Sequence, residues 1–148
     1  MGLDQWLMRS KDSGEHDEVI YWRKENQFHK WFIDHCAPEN YEYEKQEPIP
    51  VTKQDIQDLL TTIKELLDKF NELQVSFSVA VNPLIIESPL DQWIDLCKKK
   101  LPTQSGFFFG STEYNECYYE SLKSAAERLE LIIDDWDDSF NYTYETWW

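Results

Sequence analysis

Few side chains in this sequence have the types and spacing for chemistry. Three histidines, His16, His29 and His35, fall in no HxxxH or HExxH pattern, so no pair is set to hold a metal from one helix face. Cys36, Cys97 and Cys117 are odd in number and form no CxxC pair; they read as buried free thiols, not as a disulfide framework or zinc site. His35 and Cys36 are adjacent, which points them to different sides of a helix. There is no GxSxG, and four glycines give little material for a phosphate-cradling loop. The nearest approach to an active site is Arg23, Asn26, His29 and Lys30, which steps of three and four would gather on one helix. If Thr103, Gln104 and Ser105 folded against them, a polar pocket would result. The plainer reading is that Asn26 and His29 tie helix to loop by hydrogen bonds, since buried polar groups need partners whether or not they react. No catalytic residue, metal ligand or cofactor is predicted.

The acids near the C-terminus make a different kind of pattern. At 100° per residue, Glu113, Glu116, Glu120, Glu127, Glu130, Asp134 and Asp137 share one side of a predicted helix over 113–136. Tyr114, Tyr118, Leu122, Ala125, Leu129, Ile132, Ile133 and Trp136 share the opposite, core-facing side. Asp135 and Asp138 complete a candidate partner-binding set. From Glu113 to Glu145 the chain carries ten acids against only Lys123 and Arg128. Steps of three or four place charges about 4.5–6 Å apart along the axis, the same order as the ~3.4 Å rise per phosphate on one nucleic-acid strand. Such a row could occupy a Lys/Arg-lined groove built for a nucleic-acid backbone. The alternative is the solvated face of an ordinary amphipathic helix, although like charges at i,i+4 repel by a few tenths of a kcal/mol per pair.

Composition sets the frame for both patterns. The 148 residues have the length of one domain, and 41% hydrophobic residues with 16% aromatics are enough for a folded core. The formal net charge of −15 repels nucleic acid and anionic membrane and attracts basic protein surfaces. No apolar run approaches the ~20 residues that span a bilayer. The N-terminus lacks a signal-peptide pattern, and Trp6 stands where a myristoylation signal needs Ser or Thr. An intracellular chain is expected, in which the Asn141-Tyr142-Thr143 sequon goes unused.

The elements that must position these residues read as α+β, with several helices beside a small, mainly antiparallel sheet. Residues 3–9 read as a strand and 10–17 as a polar turn. From Val19 to Cys36 the spacing predicts a helix, with Tyr21, Phe28, Trp31, Phe32 and His35 on one side and Trp22, Asn26, His29 and Ile33 beside them. A short strand is expected near 41–43. Thr52, with Asp55 three residues on, caps a helix running to about Leu73. Residues 75–81 form a candidate strand, with a continuation of the preceding helix as the alternative. Ser88 and Pro89 open a helix closed by Lys98, Lys99 and Lys100. The three phenylalanines at 107–109 are expected in a buried strand, Ser111 and Thr112 as caps of the acidic helix, and 140–148 as a last strand.

Three segments resemble a family of small, largely uncharacterised proteins of bacteriophages and prophages: MGLDQWL, IYWRKENQFHKWF, and LPTQSGFFFGSTEY leading into YYESLKSAAERLE. Members typically begin MGLD and share a YWRK-type helix and an LPTQSGFFFGST-type turn. That resemblance implies a phage-encoded inhibitor in the host cytoplasm, acting on a host defence or nucleic-acid-handling protein. Its most specific form is an anti-CRISPR DNA mimic whose acidic face enters the basic groove of a CRISPR nuclease. Lys98–Lys100, Arg23, Lys24 and Lys30 depart from a pure mimic, so the acidic face must be local. The competing readings are a small phage enzyme using Arg23, Asn26 and His29, and a structural or regulatory phage protein anchored by Trp147 and Trp148.

Overall fold

Period-two alternation builds the sheet. In β1 (Asp4–Ser10), Gln5 and Leu7 turn inward, and in β4 (Asn141–Trp147), Tyr142, Tyr144 and Thr146 do the same. The computed structural model describes residues 2–77 and 88–148. With β2 (His16–Arg23) and β3 (Ile49–Val51), these strands form one antiparallel sheet in the order β2-β1-β4-β3. Among the described residues the helices are α1 (Asn26–Cys36), α2 (Lys53–Glu72), α3 (Pro89–Lys100) and α4 (Glu116–Asp134), so the class is α+β. No described helix is long and apolar enough to cross a membrane.

Both sheet edges are blunted. Pro50 in β3 removes one amide donor, and the Arg128 guanidinium donates to the Tyr21 carbonyl of β2 at 2.9 Å.

The helix core is held at one point by an aromatic wedge. Trp93 of α3 is fully buried, and its indole donates to the Leu66 carbonyl of α2 at 2.8 Å. The rings of Phe70, Phe77, Tyr118 and Tyr119 surround it. Around this wedge, α2 buries Ile56, Leu59, Leu60, Ile63 and Leu66, while α4 buries Leu122, Ala125 and Leu129.

The caps read from sequence hold for α2 and α3. Thr52 accepts from the Asp55 amide at 3.1 Å while Asp55 accepts from the Thr52 amide at 2.8 Å. Ser88 and Asp91 repeat the box with Pro89 in the first turn. Thr52→Ala is expected to cost about 1 kcal/mol, a fall of roughly 2–4 °C in a thermal melt.

Four expectations are corrected. Val19–Arg23 belongs to a strand, not to the first helix. Its β-branched and aromatic residues alternate, Ile20 and Trp22 inward and Tyr21 and Arg23 outward, and Lys24 at φ 56° turns the chain toward α1. His35 lies exposed on the solvent side of α1, stacked on Trp31. Residues 43–45 form a 3-10 turn in place of the strand expected near 41–43, and pairing waits until Ile49–Val51. Of the candidate strand 75–81, residues 75–77 are not strand and 78–81 lie outside the described residues.

The phenylalanine run is not a buried strand either. Phe107 is 83% exposed and Phe108 39%, with only Phe109 in the core. Phe108 sits at φ 71°, left-handed for a side chain that disfavours it, and Gly110 at φ 85° continues the corner.

Helix α4 begins at Glu116, three residues later than expected. The Asn115 side chain accepts from the Tyr118 amide at 3.1 Å and caps it, whereas Ser111 takes the Glu113 amide in a local turn. It ends at Asp134, so Trp136 packs on Tyr142 from the following turn.

Candidate functional site

The acids of α4 do share one face. Glu116, Glu120, Glu127, Glu130 and Asp134 are exposed within an arc of about 80° at 100° per residue, and the row runs about 27 Å. Buried Tyr118, Leu122, Ala125, Leu129 and Ile132 hold the opposite face against the core. The row is fixed by its packing and pointed at solvent.

It is partly neutralised, in one case from another helix, which sequence spacing along α4 could not reveal. Lys64 reaches across from α2 to Glu130, and Lys123, lying in the same arc, sits 4.0 Å from Glu120. Among the described residues Glu116, Glu127 and Asp134 have no Lys or Arg within 4.0 Å. The last turn of α4 carries no basic residue, so Asp134 stands at the negative end of the helix dipole uncompensated.

The other four predicted partner-binding residues lie off the helix. Glu113 precedes the Asn115 cap. Asp135 faces Arg9 at 3.5 Å. Asp137 accepts from the Ser139 amide at 2.9 Å, and the hydrogen bonds to Ser139 hold its carboxyl below the usual range. Asp138 accepts from the Trp136 indole at 3.1 Å. These last three shape the turn into β4.

The Arg23, Asn26, His29 and Lys30 grouping comes apart. Arg23, on β2, pairs with Asp4 at 3.4 Å, and Lys30 pairs with Asp34 at 3.0 Å. Asn26 is buried: its amide donates to the carbonyls of Phe109 and Ser111 at 3.0 and 2.9 Å and its oxygen accepts from the Gln104 amide at 2.9 Å. Thr103 turns instead to Tyr114 and Thr112. Asn26 thus ties helix to loop.

His29 is 0% exposed and ringed by Tyr43, Phe109, Tyr144 and Trp148. Its Nδ1 lies 2.9 Å from the Tyr144 hydroxyl and its Nε2 3.2 Å from the Tyr43 hydroxyl. A run of hydrogen bonds fixes the tautomer. Gln5 accepts from the Glu25 amide at 2.9 Å, then donates to the Glu25 carbonyl at 3.0 Å and the Tyr144 hydroxyl at 2.8 Å. Tyr144, already accepting, must donate to Nδ1, which leaves the proton on Nε2 facing Tyr43. Both ring nitrogens of His29 are satisfied in this run when the imidazole is neutral. Burial accordingly pulls the His29 pKa down to about 4.

One link was missed in the sequence. Glu25 accepts from Ser121 of α4 and from Gln27, both at 3.0 Å, and burial raises its carboxyl above the usual range. No motif marks Gln5, Glu25 or Tyr144, because the partners lie far apart in the chain.

The thiols divide by burial. Against the expectation that all three are buried, only Cys97 is; Cys36 is half-buried and Cys117 exposed on α4, and desolvation pushes Cys36 and Cys97 up to about 12. Among the described residues no cluster of three His, Cys, Asp or Glu side chains could hold a metal ion. Trp148 packs into the His29 surround while Trp147 is 68% exposed. No family model, curated protein or solved structure matches the chain.

Proposed function

We propose that this protein is a binding domain that sets the outer face of α4 into a cationic groove made for nucleic acid. In its narrowest form it is a phage-encoded inhibitor that acts in the host cytoplasm on a host defence nuclease of the CRISPR type. One observation carries the reading: a solvent-facing row of five carboxylates on α4, met by only Lys123 and Lys64 among the described residues. The resemblance of MGLDQWL, the YWRK segment and the LPTQSGFFFGST turn to phage proteins supplies the host context. The competing polar pocket has less support, since Asn26 and His29 are buried and every polar atom they offer is engaged.

The groove would gain attraction from the carboxylates and lose its own counterions, so binding falls steeply with salt. The test is capture of host proteins on the immobilised chain at ~50 mM salt, followed by elution with duplex DNA or by raising salt to ~200 mM. Partners released by both treatments are expected. Partners that stay bound through both would overturn the electrostatic reading.

A further inference from the structure

The sheet has a second, uncovered face that no helix among the described residues packs against, and its register gathers unlike side chains in three rungs. Arg23, Asp4 and Trp147 make the first, Tyr21, Trp6 and Glu145 the second, and Glu18, Met8 and Thr143 the third. The slip between Leu7 and Met8 sets Glu18 opposite Met8.

Trp6, Met8, Glu18 and Glu145 line a notch of about 240 Å³. Its aromatic wall is braced. The Tyr21 ring lies 5.7 Å from that of Trp6, and the Tyr21 hydroxyl donates to Asp4 at 2.5 Å, where Arg23 also pairs. Glu145 accepts from the Thr143 hydroxyl at 2.9 Å and has His16 at 3.9 Å. Among the described residues neither Glu18 nor Glu145 has a Lys or Arg within 4.0 Å. Two carboxylates beside a half-buried indole, over a thioether, complement a planar cation on an aliphatic stem.

We propose that this notch seats an arginine side chain of a partner protein, its guanidinium against Trp6 and forked between Glu18 and Glu145, its methylenes on Met8. Arginine fits better than lysine because a flat ion can stack and bridge at once. Exposed Trp147, one rung away, gives the residues flanking that arginine an apolar landing. This surface is on the sheet, so the proposal stands independently of the acidic helix.

The probe is the peptide acetyl-Leu-Arg-Leu-amide, titrated into ¹⁵N-labelled protein, with the citrulline peptide as its uncharged isostere. Saturable shifts of the Trp6 indole and of the Thr143 and Glu145 amides are expected, with the citrulline peptide at least about tenfold weaker. Paired Glu18→Gln and Glu145→Gln substitutions should remove the response, while Glu127→Lys with Glu130→Lys leaves it in place. Equal binding of both peptides, shifts confined to α4, or no saturable shift would each overturn the assignment. Shifts confined to α4 would do so while leaving the acidic-face reading intact.

Discussion

Reversing Glu120, Glu127, Glu130 and Asp134 to lysine is expected to weaken capture of a cationic target by at least about 100-fold, or ~2.7 kcal/mol, and to flatten its salt dependence. All four residues are exposed, so the fold should survive. The cross-helix ion pair that this variant breaks, Lys64 with Glu130, lies at the surface and is worth at most about 1 kcal/mol. A melting curve checks that point separately from binding. Single reversals should not be equal. Among the described residues Glu127 has no Lys or Arg within 4.0 Å while Glu120 pairs with Lys123, so Glu127→Lys should cost more than Glu120→Lys. If the fourfold variant binds as the parent does, the carboxylate row is only a solvated surface.

The second large effect belongs to the buried network. Tyr144→Phe removes a hydroxyl that accepts from Gln5 and donates to His29, leaving a donor and an acceptor stranded in the core. At about 1–3 kcal/mol for each stranded group, a loss of roughly 2–4 kcal/mol is expected in denaturant unfolding. The same network predicts a pH signature. His29 has a folded pKa of about 4 against 6.5 in an open chain, so the unfolded state binds the proton more readily. Stability from neutral His29 is complete above pH 6.5 and drains away as pH falls toward 4, by about 3 kcal/mol. Glu25 acts in the opposite direction, because its raised carboxyl pKa favours the folded state as pH falls. Relief of repulsion among the other acids does the same, so the parent curve alone is a mixture. The difference between parent and His29→Gln isolates the imidazole: the gap at pH 7 should shrink by about 3 kcal/mol by pH 4. Parallel curves would mean that His29 titrates as an exposed histidine does.

Local signals were legible where local chemistry decided the outcome. Thr52 with Asp55, and Ser88 with Pro89, announced the starts of α2 and α3 because a cap needs only its own first turn. The separation of acids from apolar residues on α4 was readable for the same reason, although its first turn was not. Asn115, Ser111 and Thr112 are all competent caps, and only the path of the preceding loop selects among them. Residues 19–23 failed differently. Their apolar spacing fits both periods, and pairing with β1, a long-range interaction, settles it. The phenylalanine run misled because apolarity predicts burial, whereas Phe107 faces solvent. Asn26 does tie helix to loop, whereas His29, expected to do the same, meets Tyr144 of β4 as well as Tyr43 of the 3-10 turn. The partners Tyr144, Tyr43 and Gln5 come together only once the sheet has closed.

That closure has a consequence for how the molecule is born. The centre of the sheet joins β1 to β4, with Asp4 opposite Trp147, so nearly all of the stretch between them must leave the ribosome before the middle pair can zip. Until then the β1–β2 hairpin can form, but Leu7 and Gln5 lack the neighbours that will cover them. Folding should therefore wait for late synthesis and be slowed by a search over a very long loop. A nascent chain arrested before residue 141 should be cut readily by protease, and a chain released with β4 in place should not.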